Sequence, residues 1–154
     1  MSELTGKDNW FENFTVGLVI KHFRGKTVEP LENVTITNMV MNTAEGHFNE
    51  HAMAQTRIGK RIVFGGVTAA IVIGLASQDT AENALAELAM TGIRFKSPVF
   101  HGDTLYAFTE VLETWDGDRP DAGIVRFKHW GVNQEDKIVF EAERTALIKR
   151  RNPK

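Results

Sequence analysis

At 154 residues, with 42% hydrophobic and 25% charged side chains, the chain has the makeup of one soluble domain large enough to bury a core. A net charge of −2 provides no bulk attraction to nucleic acid or to an anionic membrane. The absence of cysteine excludes disulfides and thiolate metal sites and fits a cytoplasmic setting.

Residues 1–15 lack the apolar core of a signal peptide, and Met1–Asn9 reads as a loose start. Trp10–Phe14 reads as a short aromatic turn. Val16–Phe23 suits a first strand, and Gly25 and Pro30 bracket a loop. With Thr35 or Thr37 as N-cap, Ile36, Met39, Val40, Thr43 and Ala44 mark the buried face of a helix that Gly46 ends. His47–Arg57 adds a helical turn or two with Ala52, Met53 and Thr56 inward. Gly59-Lys60-Arg61 turns the chain, and Ile62-Val63-Phe64 is extended.

Gly65–Ala76 is the stretch around which the rest is expected to wrap. Val67, Ala70, Ile71, Gly74 and Leu75 share one helical stripe. Ala69, Val72, Ile73 and Ala76 make the other sides apolar, so the helix should be buried all round. It is about half the roughly 20 residues a bilayer span requires, and it fades at Ser77–Thr80. Two glycines open it, so the first N–H groups, which lack intrahelical partners, are unshielded.

Beyond the helix the period changes to two. Leu88–Phe95 is a strand, Ser97-Pro98 an edge or bulge, and His101-Gly102-Asp103 a tight turn. Thr104–Thr114, Ile124–Val132 and Ile138–Ile148 form a meander through the loops Trp115–Asp121 and Asn133–Asp136. In the last strand Ile138, Phe140 and Ala142 face in. The basic Lys149–Lys154 end reads as a solvated tail. The fold class is α+β: one five-stranded antiparallel sheet wrapped around one buried helix in a single domain over 1–154, with its core at about 11–149. A sheet with an open edge is protected by pairing with a second copy, so a homodimer is expected.

The densest polar cluster is Asn42, Glu45, His47, Asn49, Glu50 and His51. His47-Phe48-Asn49-Glu50-His51 spells H-x-x-E-H, which on a helix could hold a zinc ion, but a peptidase needs a further ligand. Alternatively, His47 faces the helix start as a general base while glycine N–H groups hold a carbonyl oxygen as it becomes an enolate. The bland alternative is that His47 and His51 are polar residues without a role. His22, His101 and His129 read as structural or exposed.

These residues carry a family resemblance. Asn42-Thr43-Ala44-Glu45-Gly46-His47, followed by Ile62-Val63-Phe64-Gly65-Gly66, is similar to the D-x-N-P-x-H fingerprint and helix-opening glycine of the MaoC-like dehydratases, the (R)-specific enoyl-CoA hydratases. Phe95–Leu105 matches their F-x-x-P-V-x-x-G-D-T-L segment. The resemblance implies the hot-dog fold and a carbon–oxygen lyase that adds water to, or removes it from, an enoyl-CoA. Coenzyme A would be part of the substrate, with no separate cofactor and no metal. It implies that His47 is catalytic, that Asn42 stands in the place of the catalytic aspartate, and that the Gly65 N–H, beside Gly66, binds the thioester carbonyl. Asn42 cannot accept a proton as a carboxylate does, so it would position the water while His47 acts alone or with Glu45. Asn42-Thr43, His47-Phe48-Asn49, Ala54-Gln55-Thr56 and Pro98-Val99-Phe100 resemble the mesaconyl-CoA hydratase branch, whose substrate carries a free carboxylate. Arg57, Arg61, Arg94 and Lys96, with Lys60, are candidates to neutralise that carboxylate or the CoA phosphates. Dimers could pair further into a dimer of dimers or a hexamer. Two other readings are a non-catalytic acyl-CoA-binding protein and a thioesterase; against the latter, the first acid in the central helix is Asp79, far from Gly65.

Overall fold

A computed structural model describes residues 9–153. The loose start expected at Met1–Asn9 lies outside them except for Asn9, whose amide donates to the Asp79 carbonyl at 2.8 Å. In chain order the elements are β1 (Val19–Thr27), α1 (Pro30–Met39), α2 (Glu50–Ala54), α3 (Gly65–Thr80), β2 (Ala84–Phe95), β3 (Thr104–Asp116), β4 (Ala122–Val132) and β5 (Ile138–Lys149). The strands form one antiparallel sheet in the order β1-β3-β4-β5-β2. The α3 helix packs on its inner face against β1, β3, β4 and β5. This is the expected sheet around a central helix.

Close approach of the helix depends on a glycine. A Cβ placed on Gly131 of β4 would lie 2.3 Å from a methyl of Val72, so only glycine lets α3 settle there. The helix is longer than expected, running through Ser77 to Thr80. Its buried residues are Val67, Thr68, Val72, Ala76, Asp79 and Thr80, whereas Ala70 and Gly74 are exposed. The expectation of burial all round is thus corrected: the sheet covers one side, and among the described residues no second layer covers the opposite one.

The first helix also differs. It opens at Pro30, not at Thr35 or Thr37, with Glu32 Oε2 accepting the Glu29 N–H at 3.1 Å. Proline is preorganised for the first helical position, where no intrahelical N–H is needed. The helix ends at Met39, and Met41 (φ 58°) turns the chain away before Thr43 and Ala44. Its buried residues are the polar Asn33 and Thr37, while Met39 and Val40 are exposed. Gly25, expected in a loop, instead pairs with Tyr106 inside β1 after a break in register. Thr56 and Ile138 are exposed rather than inward.

The basic end is not wholly solvated. Arg150 is buried, ion-paired with Asp116, and its Nε donates to the Ala122 carbonyl at 3.2 Å. Its guanidinium lies 4.2 Å from the centre of the Phe11 ring, which ties the aromatic turn Phe11–Asn13 to the end of β5.

The core has two apolar compartments. One contains Val67, Val72, Leu105, Ala107, Phe140 and Ala142, the other Phe14, Val111, Val125, Phe127, Ala146 and Ile148. Between them, at inward positions of adjoining strands, lie His22, Thr109, His129 and Arg144. Asp79 Oδ2 is 2.7 Å from His22 Nδ1, and Thr109 Oγ1 is 2.7 Å from both His22 Nε2 and His129 Nδ1. Arg144 makes two bonds to Glu87 (2.6 and 2.7 Å) and one to Thr80 Oγ1 (3.1 Å).

Candidate active site

His47 sits at the end of the 3-10 turn Glu45–His47 and is 9% exposed. Asn42 shapes that turn, its Oδ1 accepting the Ala44 N–H at 2.9 Å. The His47 ring is fixed from two sides. Its Nδ1 lies 3.0 Å from the Ile62 carbonyl, and its centre is 5.5 Å from that of the Phe64 ring. A carbonyl only accepts, so Nδ1 carries the proton and Nε2 presents a lone pair. Nε2 has no partner among the described residues.

The start of α3 is held by a buried amide. Asn33 Oδ1 accepts the Phe64 N–H at 2.9 Å, and Asn33 Nδ2 donates to His101 Nε2 at 3.1 Å. Burial lowers the His101 pKa, and Arg61 lowers it further, against an opposing pull from Glu50; the neutral ring that accepts from Asn33 is therefore favoured. The Phe64 carbonyl accepts from Val67 and Thr68. The N–H groups of Gly65 and Gly66 have no acceptor among the described residues. A Cβ on Gly66 would come within 2.4 Å of the Phe64 ring, the same ring that packs on His47.

These groups open onto one cavity of about 720 Å³, a size that suits a small-molecule ligand. Its lining includes His47, Gly65, Gly66 and Thr68, closed by the apolar Ile93 and Phe95 of β2. Lys96 lies at its edge, its side chain 46% exposed and its Nζ 4.0 Å from Glu141. A base with a free lone pair thus shares an apolar chamber with bare N–H donors at the positive end of a helix. That set can move a proton next to a polarised carbonyl.

Of the residues singled out in the sequence, the structure brings His47, Gly65, Gly66 and Lys96 to this cavity. Asn42 is not in its lining; its carboxamide oxygen is used on the turn beneath His47. Glu45 is exposed and accepts from Asn49 Nδ2 at 2.7 Å. Arg61 pairs with Glu50 at 2.7 Å, and Arg57 is exposed. Arg94 lines a separate depression with Glu110, Lys128 and Glu143, away from Lys96. Lys60 lies 4.0 Å over the Phe100 ring. The H-x-x-E-H string does not share one helix face, because His47 precedes α2 and His51 lies within it, exposed. Two contributors, Asn33 and Thr68, were not singled out. The signal for Thr68 was a hydroxyl in an otherwise apolar helix; for Asn33, an amide followed by Thr37 one helical turn later.

Known proteins share this sequence and architecture. A family model described as mesaconyl-CoA hydratase matches residues 3–150. A β-methylmalyl-CoA dehydratase of Chloroflexus aurantiacus is 36% identical over 162 residues, which are 95% of this chain and 46% of that protein. Among solved structures, a MaoC domain protein dehydratase from Chloroflexus aurantiacus superposes with a TM-score of 0.88 at 29% identity, over 96% of this chain and 46% of the other. A Mycobacterium tuberculosis protein with a double hotdog fold shares the fold, with a TM-score of 0.80 at 21% identity, over 92% of this chain and 44% of the other. The chain therefore spans less than half the length of these proteins.

Proposed function

This chain belongs to the mesaconyl-CoA hydratase family, and we propose that it adds water to, or removes it from, the double bond of an enoyl-CoA thioester, a branched dicarboxylyl-CoA such as mesaconyl-CoA being the substrate. The carrying observation is His47: a buried imidazole whose Nδ1 is committed to the Ile62 carbonyl and whose Nε2 is unpaired, in the same cavity as the bare Gly65 and Gly66 N–H groups.

In the proposed reaction the thioester oxygen accepts from the glycine N–H groups. His47 Nε2 takes one proton from a water as the water oxygen bonds to the β-carbon. The electron pair of the double bond moves toward the thioester, and the negative charge forms at the helix N-terminus that stabilises it. The imidazolium then returns its proton to the α-carbon, so one base serves both steps and the addition is syn. Asn42 acts here through the turn that carries His47, and Glu45 has no part. No cofactor is required, because coenzyme A is part of the substrate. A cytoplasmic location goes with a coenzyme A substrate and the lack of cysteine.

The assembled form in this reading is a homodimer, alone or built further into a dimer of dimers or hexamer. Strand β2 supports it, with Leu88, Met90, Ile93 and Phe95 exposed along an unpaired sheet edge.

The test follows the absorbance of the conjugated thioester with crotonyl-CoA and mesaconyl-CoA side by side. Turnover that falls about 10²- to 10⁴-fold in His47→Ala, with circular dichroism unchanged, is the expected result. Full activity in that variant refutes the mechanism. Binding of both thioesters without turnover by the wild type would favour the acyl-CoA-binding alternative.

A further inference from the structure

Three helical hydroxyls in this fold are bonded back to their own helix. Thr37 Oγ1 donates to the Asn33 carbonyl at 2.5 Å, Ser77 Oγ to Gly74 at 2.7 Å and Thr80 Oγ1 to Ala76 at 2.8 Å. Thr68 does not follow. It is 3% exposed, it lines the cavity, and its hydroxyl has no partner among the described residues, the Phe64 carbonyl one turn back being taken by the Val67 and Thr68 N–H groups. The hydroxyl is not among the sealed-off, unpartnered side-chain atoms of the described residues, so it is reached from the cavity. The cavity is where a partner for it has to come from.

Its place relative to Gly65 indicates which ligand atoms that partner would be. Thr68 is three residues further along α3, about 4.5 Å along the axis and on the same face, with its Cα–Cβ bond tilted back toward the helix start. A thioester oxygen on the glycine N–H groups therefore leaves Thr68 facing the far end of a short acyl chain laid along the helix. In a four-carbon trans-enedioyl thioester that far end is a free carboxylate, separated from the thioester carbonyl by the double bond alone. Around Thr68 the lining contributes the apolar Ala69, Ile93 and Phe95. The Lys96 ammonium, at the rim of the same cavity, supplies the balancing charge.

We propose that Thr68 is a specificity residue of this site, its hydroxyl donating to the second carboxylate of a short trans-dicarboxylyl-CoA. The assignment rests on the hydratase reading above. The readout is the ratio of kcat/KM for mesaconyl-CoA to that for crotonyl-CoA, which lacks the carboxylate, in the wild type, Thr68→Val and Thr68→Ser. The valine is close in shape and removes only the hydroxyl; the serine restores it. A hydrogen bond to a charged group predicts that Thr68→Val lowers the ratio about 10- to 100-fold and that Thr68→Ser holds it within about threefold of the wild type. An unchanged ratio in Thr68→Val, even with both rates reduced, overturns the assignment and makes Thr68 a packing residue. A wild type that hydrates crotonyl-CoA and not mesaconyl-CoA also overturns it while the hydratase reading stands. A wild type that hydrates neither refutes the reaction itself, and the assignment falls with it.

Discussion

At the scale of single residues, the polar belt through the core sets how the protein responds to acid. The Nε2 of His129 is buried without a partner among the described residues, and the residue is inaccessible to solvent. Burial first, then the nearby charges of Arg144 and His22, push its pKa from 6.5 to about 3. Burial lowers His22 in the same direction, although Asp79 beside it pulls the other way. The unfolded chain therefore takes up a proton at His129 near pH 6.5, while the folded chain refuses it until about pH 3. The stabilisation is complete above the unfolded value and is lost as the pH falls through that window. Replacement of His129 by glutamine, which keeps a polar partner for Thr109 but does not titrate, should flatten the fall of the urea midpoint below about pH 6.5. An identical pH slope in the variant would show that His129 is not the responsible group. Nothing in the strand alternation hid this site. His22, Thr109, His129 and Arg144 fall on inward positions, but which polar side chains bond to one another depends on the registers of separate strand pairs.

At the scale of elements, α1 and α3 are joined by Asn33. The amide occupies the buried face of α1 and accepts the N–H just before the glycines that open the cavity. Asn33→Ala removes the acceptor for Phe64 and the donor to His101 together, at a cost of about 2–3 kcal/mol in folding free energy. The expected outcome is a lower denaturant midpoint together with weaker turnover, because the bare N–H groups lose their fixed direction. A loss of activity with the midpoint unchanged would place Asn33 elsewhere in the argument. The helix with the strongest apolar signal, Gly65 onward, was legible because nearly every side chain in it favours burial. The first helix was misread because its inward residues are Asn33 and Thr37, whose burial is favourable only once Phe64 and His101 arrive from distant parts of the chain.

At the scale of the whole molecule, β2 is the unfinished edge. The twelve-residue strand pairs with β5 on one side only, and all but its first residue are exposed, Phe95 at 55% and Leu88 at 50%. Ile93 and Phe95 also line the cavity, so covering this edge would complete the site as well. In sedimentation the wild type should run as a dimer or a multiple of one. Leu88→Lys with Ile93→Lys should run as a monomer with sharply reduced turnover, because two charges would be buried without partners in the seam. A wild type that sediments as a monomer would refute the homodimer.

The sequence by itself determined the α+β class, the central helix and the meander, because binary periodicity and glycine placement are local properties. The motifs around His47 and Gly65 and the Phe95–Leu105 segment also carried the family resemblance. Only the tertiary structure decided which candidates share a cavity. Lys96 meets it and Arg94 does not, although only Phe95 separates them, because Arg94 is held in the sheet opposite Glu141 whereas Lys96 lies just past the end of β2. Asn42 and Glu45 flank His47 in sequence, yet both side chains are occupied by bonds to Ala44 and Asn49. Long-range placement settles such cases. The buried belt and the Asn33 clamp arise from contacts between segments tens of residues apart, and no local pattern encodes the partner a side chain will meet.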